Sequence, residues 1–174
     1  LTLTPNDGFE LKDENIQGIP ANSVCNSGKL TYISTNKTYR YSIASLTEAC
    51  EISAVFTKRR LKVLTEITVN GEGDAASAGT IAVKNGVDLT SVEYGSVVEF
   101  AVTAKVGYRI NAIRGCEGTE VPGGSNHHTY LSYSTGAINQ EECTVTAEFS
   151  KKEYTVTIKD DTGGKAQLLN EGLI

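Results

Sequence analysis

The chain has 174 residues, of which 39% are hydrophobic and 21% are charged, and its formal net charge is −5. This composition is typical of a globular protein of one or two domains and excludes a disordered or membrane-spanning chain. The basic residues are scattered, so we predict no nucleic-acid partner, since such binding needs a basic face. The apolar runs are only strand-length, so we expect no membrane insertion by this segment.

Short β-strands separated by turn signals are predicted from the start of the chain. In the first part, "TYRYSI" and "EISAVF" alternate apolar and polar residues, and "SLTEAC" (45–50) is a candidate for one helical turn with Ser45 as N-cap. Further along, "EFAVTA", "TVTAEF" and "EYTVTIK" alternate in the same way. Turn signals such as "PNDG", "NGEG", "EYG" and "PGGSN" lie between these runs. We therefore predict an all-β fold with many short strands.

The chain also repeats one pattern. Gly8 and Phe9 of "PNDGFELKDENIQG" correspond to Gly107 and Tyr108 of "KVGYRINAIRG", and "CEISAVFTKRRLKV" corresponds to "CTVTAEFSKKEYTV". The repeating unit is about 90 residues long. We predict the back part of repeat 1 (residues 1–58), a complete repeat 2 (59–151) and the front part of repeat 3 (152–174), joined by short basic linkers at "TKRR" and "SKKE". The first residue is Leu rather than Met, and we expect the chain to be a piece of a longer protein.

The four Cys residues occupy matching places in the first two repeats: Cys25, Cys50, Cys116 and Cys143. Because equivalent positions imply equivalent chemistry, we predict one disulfide per repeat, Cys25–Cys50 and Cys116–Cys143. Four free thiols are the alternative. None of the four lies in a Cys-x-x-Cys pair, which disfavours a zinc site. Persistent disulfides are typical of oxidising compartments.

The motifs of repeat 2 carry a family resemblance. They run from "LTEITVNGEG" through "AGTIAV" and "VEYGSVVEFAVTAKVGYRINAIRGC" to "CTVTAEFSKK". This ordered set resembles the divergent internalin-B-type bacterial repeats, in a subset that contains Cys, and the resemblance covers nearly the whole chain. It implies small β-sheet modules with a β-grasp-like fold, in tandem on cell-surface or secreted bacterial proteins, and the sequence leaves β-grasp-like and sandwich topologies both open. The segment "GFELKDENIQG" is two residues longer than "GYRINAIRG", which leaves the local register of repeat 1 open.

No motif for catalysis, metal binding or a cofactor is present. His127 and His128 follow "PGGSN" in a predicted loop, and adjacent strand residues would point to opposite faces. "KDDTGG" (159–164) lacks the spacing of an EF-hand and is predicted to be a turn. Four acidic residues cluster near the second disulfide without the motif of an acid–base pair: Glu117, Glu120, Glu141 and Glu142. We expect a protein that is not an enzyme and has no cofactor.

Five Tyr residues lie between the Cys residues of their repeats and form a candidate binding surface: Tyr32, Tyr39, Tyr41, Tyr130 and Tyr133. Cross-strand packing is the favoured interpretation of such Tyr residues. Asn36-Lys37-Thr38 fits an N-glycosylation acceptor, which carries no meaning if the source is bacterial.

Tandem repetition without catalytic residues favours a non-catalytic spacer or stalk module, outside the cell, on its surface or in the periplasm. The alternative is a module that binds a glycan or a host protein, and a hydrolase would need a cleft with converging carboxylates. Repeat 1 lacks opening strands and repeat 3 supplies only opening strands. We therefore also expect strand exchange between copies of the chain.

Overall fold

A computed structural model describes residues 1–159, and these residues form an all-β protein, as the alternating sequence predicts. The first part contains short strands: β1 (Thr2–Leu3), β2 (Phe9–Glu10), β3 (Ile16–Ile19), β4 (Lys29–Ile33), β5 (Thr38–Ser42), β6 (Glu51–Ala54) and β7 (Thr57–Lys58). The second part includes longer ones and one α-helical turn: β8 (Arg60–Asn70), α1 (Ala75–Ala78), β9 (Gly79–Val83), β10 (Val92–Glu93), β11 (Glu99–Ala104), β12 (Tyr108–Gly115), β13 (Gly118–Pro122), β14 (Tyr130–Ser134) and β15 (Glu142–Lys151).

Residues 59–151, which we call the central region, form two sheets around one core. One sheet has five strands in the order β10-β8-β15-β12-β13, and the other has three in the order β14-β11-β9. The first long strand, β8, and the last, β15, lie side by side and parallel, from the pair Glu142–Lys62 to the pair Ser150–Asn70. The sequence leaves β-grasp-like and sandwich topologies open, and the structure has two sheets around a shared core, with this parallel pair inside the larger sheet.

Strict alternation along β15 explains how the core forms. Val145, Ala147 and Phe149 are fully buried, because alternate side chains of a strand share one face. On the opposite face, Glu148 accepts hydrogen bonds from Asn70 (2.6 Å) and Arg114 (3.1 Å). The large buried side chains of the core come from both sheets and the loops between them: Leu61, Val98, Phe100, Val102, Ile110, Ile113, Tyr133, Ile138, Val145 and Phe149.

Residues 1–58, which we call the N-terminal region, form three small sheets around a smaller core. These sheets are β1-β5-β4, β2-β7 and β3-β6. The buried centre consists of Leu11, Ile16 and Tyr41, with partly buried apolar side chains around it. The apolar side chains around this small core therefore remain partly exposed to water.

The two regions share their strand registers. Three cross-strand pairs of the N-terminal region recur at the equivalent places of the central region: Phe9–Lys58 as Tyr108–Lys151, Ile16–Ala54 as Ile113–Ala147, and Gly18–Ile52 as Gly115–Val145. The two additional residues of "GFELKDENIQG" are absorbed around a 3-10 turn at Asp13–Asn15, so the register is the same on both sides of it. These matching pairs support the division at residue 58, which stays a prediction.

Both predicted disulfides are confirmed, and the alternative of free thiols is wrong. Cys25 pairs with Cys50 and Cys116 pairs with Cys143. The bonds span 25 and 27 residues, and loop-closure entropy makes each worth about 3.5 kcal/mol. They join equivalent places, since Cys50 and Cys143 lie at or near the start of β6 and β15.

Two local predictions are wrong. The segment "SLTEAC" is not helical, and the Glu48 carboxylate accepts a hydrogen bond from the backbone N–H of Val24 (3.4 Å). The segment "EYTVTIK" (153–159) does not form a strand. Tyr154 and Val156 lie exposed there, with no neighbouring strand to pair with among the described residues. The predicted turn "KDDTGG" lies, after Lys159, outside the described residues.

Candidate functional site: the junction between the two regions

The five candidate Tyr residues divide into two groups. Tyr41 and Tyr133 are 4% and 2% exposed, so they are not part of the candidate binding surface, and their burial agrees with packing, the favoured interpretation. Their hydroxyls donate to backbone carbonyls, that of Tyr41 to Cys25 (2.8 Å) and that of Tyr133 to Gly115. Burial raises the pKa of Tyr133. In both regions, the hydroxyl of the buried Tyr therefore links the three-stranded sheet to a backbone carbonyl at or next to a disulfide-bonded Cys.

The other three Tyr residues reach solvent. Tyr32 and Tyr130 are 53% and 57% exposed, and Tyr39 is half-buried. Tyr32 and Tyr39 are cross-strand neighbours whose ring centroids lie 5.0 Å apart at an interplanar angle of 52°. Tyr130 belongs to β14 of the central region, opposite Thr103. Only the pair on β4 and β5 therefore forms a local aromatic surface.

The two regions meet at a contact that combines backbone hydrogen bonds, ring packing and ion pairs, which we call the junction. It is built on Arg59, the single residue between β7 and β8. The N–H of Arg59 donates to the carbonyl of Gly8 (2.9 Å), and the carbonyl of Arg59 accepts from the N–H of Tyr94 (2.9 Å). Residue 59 thus makes backbone hydrogen bonds to both regions instead of acting as a free linker.

The ring of Tyr94 packs on the backbone of Gly8. Gly8 has φ +77°, and a Cβ at this position would lie 2.2 Å from Cδ1 of Tyr94. Glycine is therefore required twice here, for the left-handed backbone and for the close approach of the ring. The Tyr94 hydroxyl donates to Oδ2 of Asp7 (2.8 Å), and this bond to a carboxylate raises the pKa of Tyr94.

Ion pairs surround the junction. Lys58 Nζ lies 2.8 Å from Glu93 Oε1, and Arg60 lies 3.6 Å from Glu93 Oε2. The hydrogen bond and charge of Lys58 hold the pKa of Glu93 below its ordinary value. Arg59 also forms an ion pair with Glu141. The "TKRR" segment, predicted as a basic linker, is therefore strand and junction, and its charges lie against acidic partners of the central region.

A cleft of about 390 Å³ opens beside the junction. Both regions line it: Pro5, Asn6, Asp7, Gly8, Phe9, Glu10, Tyr32, Lys37, Tyr39, Arg59 and Glu141. Aromatic rings beside amide, guanidinium and ammonium donors are groups that proteins use to hold a polar ligand. Each acidic side chain of the cleft already has a partner, since Asp7 accepts from Tyr94, Glu10 lies 3.5 Å from Lys12, and Glu141 pairs with Arg59.

The remaining candidates are dispersed. His127 is exposed, and His128 accepts a hydrogen bond from the N–H of Ser125 through Nδ1 (3.2 Å). Glu117 accepts hydrogen bonds from Asn139 and Gln140, and Glu142 forms an ion pair with Lys62 at 2.9 Å. Within residues 1–159, no group of three or more His, Cys, Asp or Glu side chains is placed to hold a metal ion. No helix in the described part of the chain is long and apolar enough to cross a bilayer.

The chain therefore belongs to the class of all-β proteins with two disulfides. Disulfides of this kind are typical of proteins in an oxidising compartment. No protein-family model, curated protein or solved structure matches the chain. The resemblance to internalin-B-type repeats stays a prediction from the sequence motifs.

Sequence reasoning missed the junction. Its members lie far apart in the chain, with 82 positions between Arg59 and Glu141 and 87 between Asp7 and Tyr94. A signal was present in the glycine shared by "NDGF" and "VGYR", because a repeated glycine beside an aromatic residue marks a place where the backbone must turn or be approached closely. Alternation along strands cannot reveal which turn of one region meets which turn of the other.

Proposed function

We propose that this chain is a non-catalytic tandem-repeat segment of a bacterial cell-surface or secreted protein, and that it acts as a spacer that holds successive modules in a fixed orientation. The observation that carries the proposal is the junction, where Arg59 is hydrogen-bonded to Gly8 on one side and to Tyr94 on the other. A stalk must resist bending, and a linker of one doubly bonded residue has little conformational freedom.

The same junction geometry begins again after β15. The N–H of Lys152 donates to the carbonyl of Gly107 (2.8 Å), as the N–H of Arg59 donates to that of Gly8. Gly107 has φ +86°, and the space where Tyr94 lies on Gly8 is open here. A following module with its own Tyr-Gly turn would dock on Gly107 as the central region docks on Gly8. Regular docking of this kind supports a stalk with a constant rotation between modules.

The spacer role is tested by measuring how rigidly the two regions are joined. In the full chain, residual dipolar couplings of residues 1–58 and 59–151 should fit one alignment tensor, and small-angle scattering should fit one conformation. Replacing Tyr94 by Ala removes the ring from Gly8 and its bond to Asp7, and we expect two distinct tensors and a larger radius of gyration. Tyr130→Ala is the matched control, because it also removes a Tyr ring, but from an exposed position outside the junction. Independent tumbling of the two regions in the unmodified chain would disprove the spacer role.

A second candidate function is recognition of a glycan or a host protein in the cleft. The specific observation in its favour is the solvent-facing pair Tyr32 and Tyr39 at the cleft, beside Asn6 and Lys37. Array screening with the full chain and with Tyr32→Ala tests it. Binding that the Tyr32 variant loses and Tyr130→Ala keeps supports recognition, and a blank array for the unmodified chain removes this candidate while leaving the spacer role untouched.

A further inference from the structure

The strand β6 of the N-terminal region has one edge without a partner among the described residues. It pairs with β3 on one side only. Its counterpart β15 pairs with β12 on one side and with β8, in parallel, on the other. An open strand edge offers N–H and C=O groups to any strand of matching pattern.

The apolar side chains of β6 are also less buried than the equivalent side chains of β15. In β15, Val145, Ala147 and Phe149 are all 0% exposed. The residues at the equivalent positions are Ile52, Ala54 and Phe56, which keep the same apolar character but are only partly buried. The N-terminal region therefore has the face of a β15 strand without the cover that β8 and its neighbours give to the central region.

A matching strand without a partner lies at the other end of the described chain. Residues 152–159 follow the sequence pattern of β8, with Tyr154 and Val156 at the places of Leu61 and Val63. Leu61 and Val63 are 2% and 3% exposed, whereas Tyr154 and Val156 are 76% and 67% exposed. The molecule thus displays an apolar strand pattern on one segment and a vacant strand edge on another.

We propose that residues 154–158 of one molecule add as a parallel strand along residues 48–52 of a second copy of this chain, the segment that leads into β6 and includes its first two residues. The central region supplies the register through its pairs Cys143–Val63 and Val145–Thr65. Transferred to the equivalent residues, Val156 lies opposite Cys50 and Ile158 lies opposite Ile52 of the second copy. In this register Ile158 lies beside Ile52 on the partly buried apolar face, and Val156 lies beside Cys50 just before that face.

The contact is heterologous, because the donor strand and the acceptor edge are different surfaces. Each molecule carries one of each, so association proceeds head to tail and gives open chains or closed rings. Charge does not oppose the pairing, since Thr155 and Thr157 alternate with the apolar residues of the donor strand.

The test is a concentration series of the full chain by sedimentation velocity, compared with two variants that carry the same substitution. Val156→Asp places a charge in the centre of the proposed strand. Val106→Asp is the matched control, because Val106 is fully exposed in the turn between β11 and β12 and outside both surfaces. Both sites are exposed, so both variants should keep the native fold, and this is checked by circular dichroism and by intact disulfides in mass spectrometry.

We expect dimers and larger species to increase with concentration in the unmodified chain and in the Val106 variant, and to be lost in the Val156 variant. Amide hydrogen exchange then tests the register, since association should protect residues 48–52 and 154–158 together. A chain that is monomeric throughout the series, or equal association of the two variants, overturns the proposal. Protection of 154–158 without protection of 48–52 also overturns it.

Discussion

The N-terminal and central regions place the same kinds of residue in the same registers and yet bury them to different degrees. Ile16 faces Ala54 in one, and Ile113 faces Ala147 in the other. Ile113 and Ala147 are fully buried, whereas Ala54 is only partly buried. Burial is therefore decided by the neighbouring strands, here β8 and β9, and not by the identity of the residues on the shared strand pair.

Removing the equivalent Phe from each region should give the largest difference between them. Phe149→Ala empties a fully buried site, and we expect a loss of about 3–5 kcal/mol in the free energy of unfolding of the central region. Phe56→Ala removes a partly buried ring and should cost roughly half as much. Urea unfolding followed by amide exchange in each region measures both. Equal losses would show that the N-terminal region is better covered than its exposure indicates.

The disulfides provide a second way to separate the regions. They close loops of 25 and 27 residues, so their removal should destabilise each region by a similar amount, about 3.5 kcal/mol. Because the N-terminal core is smaller, the double variant Cys25→Ser, Cys50→Ser should unfold its region, while Cys116→Ser, Cys143→Ser leaves the central region folded but weaker. Amide exchange in residues 1–58 and 59–151 reads the outcome. If amides of residues 1–58 stay protected in the Cys25→Ser, Cys50→Ser variant, the smaller N-terminal core is stable without its disulfide, contrary to our expectation.

The fold class and the cross-links were predictable because they depend on local pattern. Alternation of apolar residues reports a half-buried strand, and repeated Cys positions report equivalent bonds. The burial of Tyr41 and Tyr133 could not be read in this way, since alternation shows that two faces differ and not which face the other sheet covers. The helical turn at Asp74 was also missed, although Asp74 caps it by accepting from the N–H of Ala76 and Gly79 follows it.

The cleft lay beyond sequence reasoning for a different reason. Tyr32 and Tyr39 meet Arg59 and Glu141 only because the two regions dock through Gly8 and Tyr94. Docking of this kind depends on the relative position of two folded units, and no period in the chain encodes it. The Tyr residues were therefore identified as candidates while their setting was not.

The two turn glycines, Gly8 and Gly107, give a smaller and sharper contrast. Both have positive φ, so replacing either by Ala should cost about 1–2 kcal/mol in backbone strain. Only at Gly8 would the new Cβ also meet the ring of Tyr94, at 2.2 Å, whereas nothing lies within 4 Å at Gly107. Gly8→Ala should therefore also loosen the junction, seen as separate alignment tensors, and Gly107→Ala should lower the melting temperature alone. Loosening in both variants would show that backbone strain, rather than the Tyr94 contact, controls the junction.

The smallest expected effect is the dependence of the junction on pH. The pKa of Glu93 is lowered, chiefly by its hydrogen bond from Lys58, so its contribution is complete above the ordinary pKa of Glu and is lost as pH falls through the lowered value. The pKa of Tyr94 is raised by its bond to Asp7, so its contribution is complete below about pH 10 and is lost as pH rises through the raised value. The junction should be tightest between these limits, and small-angle scattering across the range measures it. Tyr94→Phe keeps the ring on Gly8 but cannot ionise, so it should abolish the alkaline loosening and leave the acid response unchanged. If this variant loosens at alkaline pH as much as the unmodified chain does, a group other than Tyr94 causes the alkaline loosening.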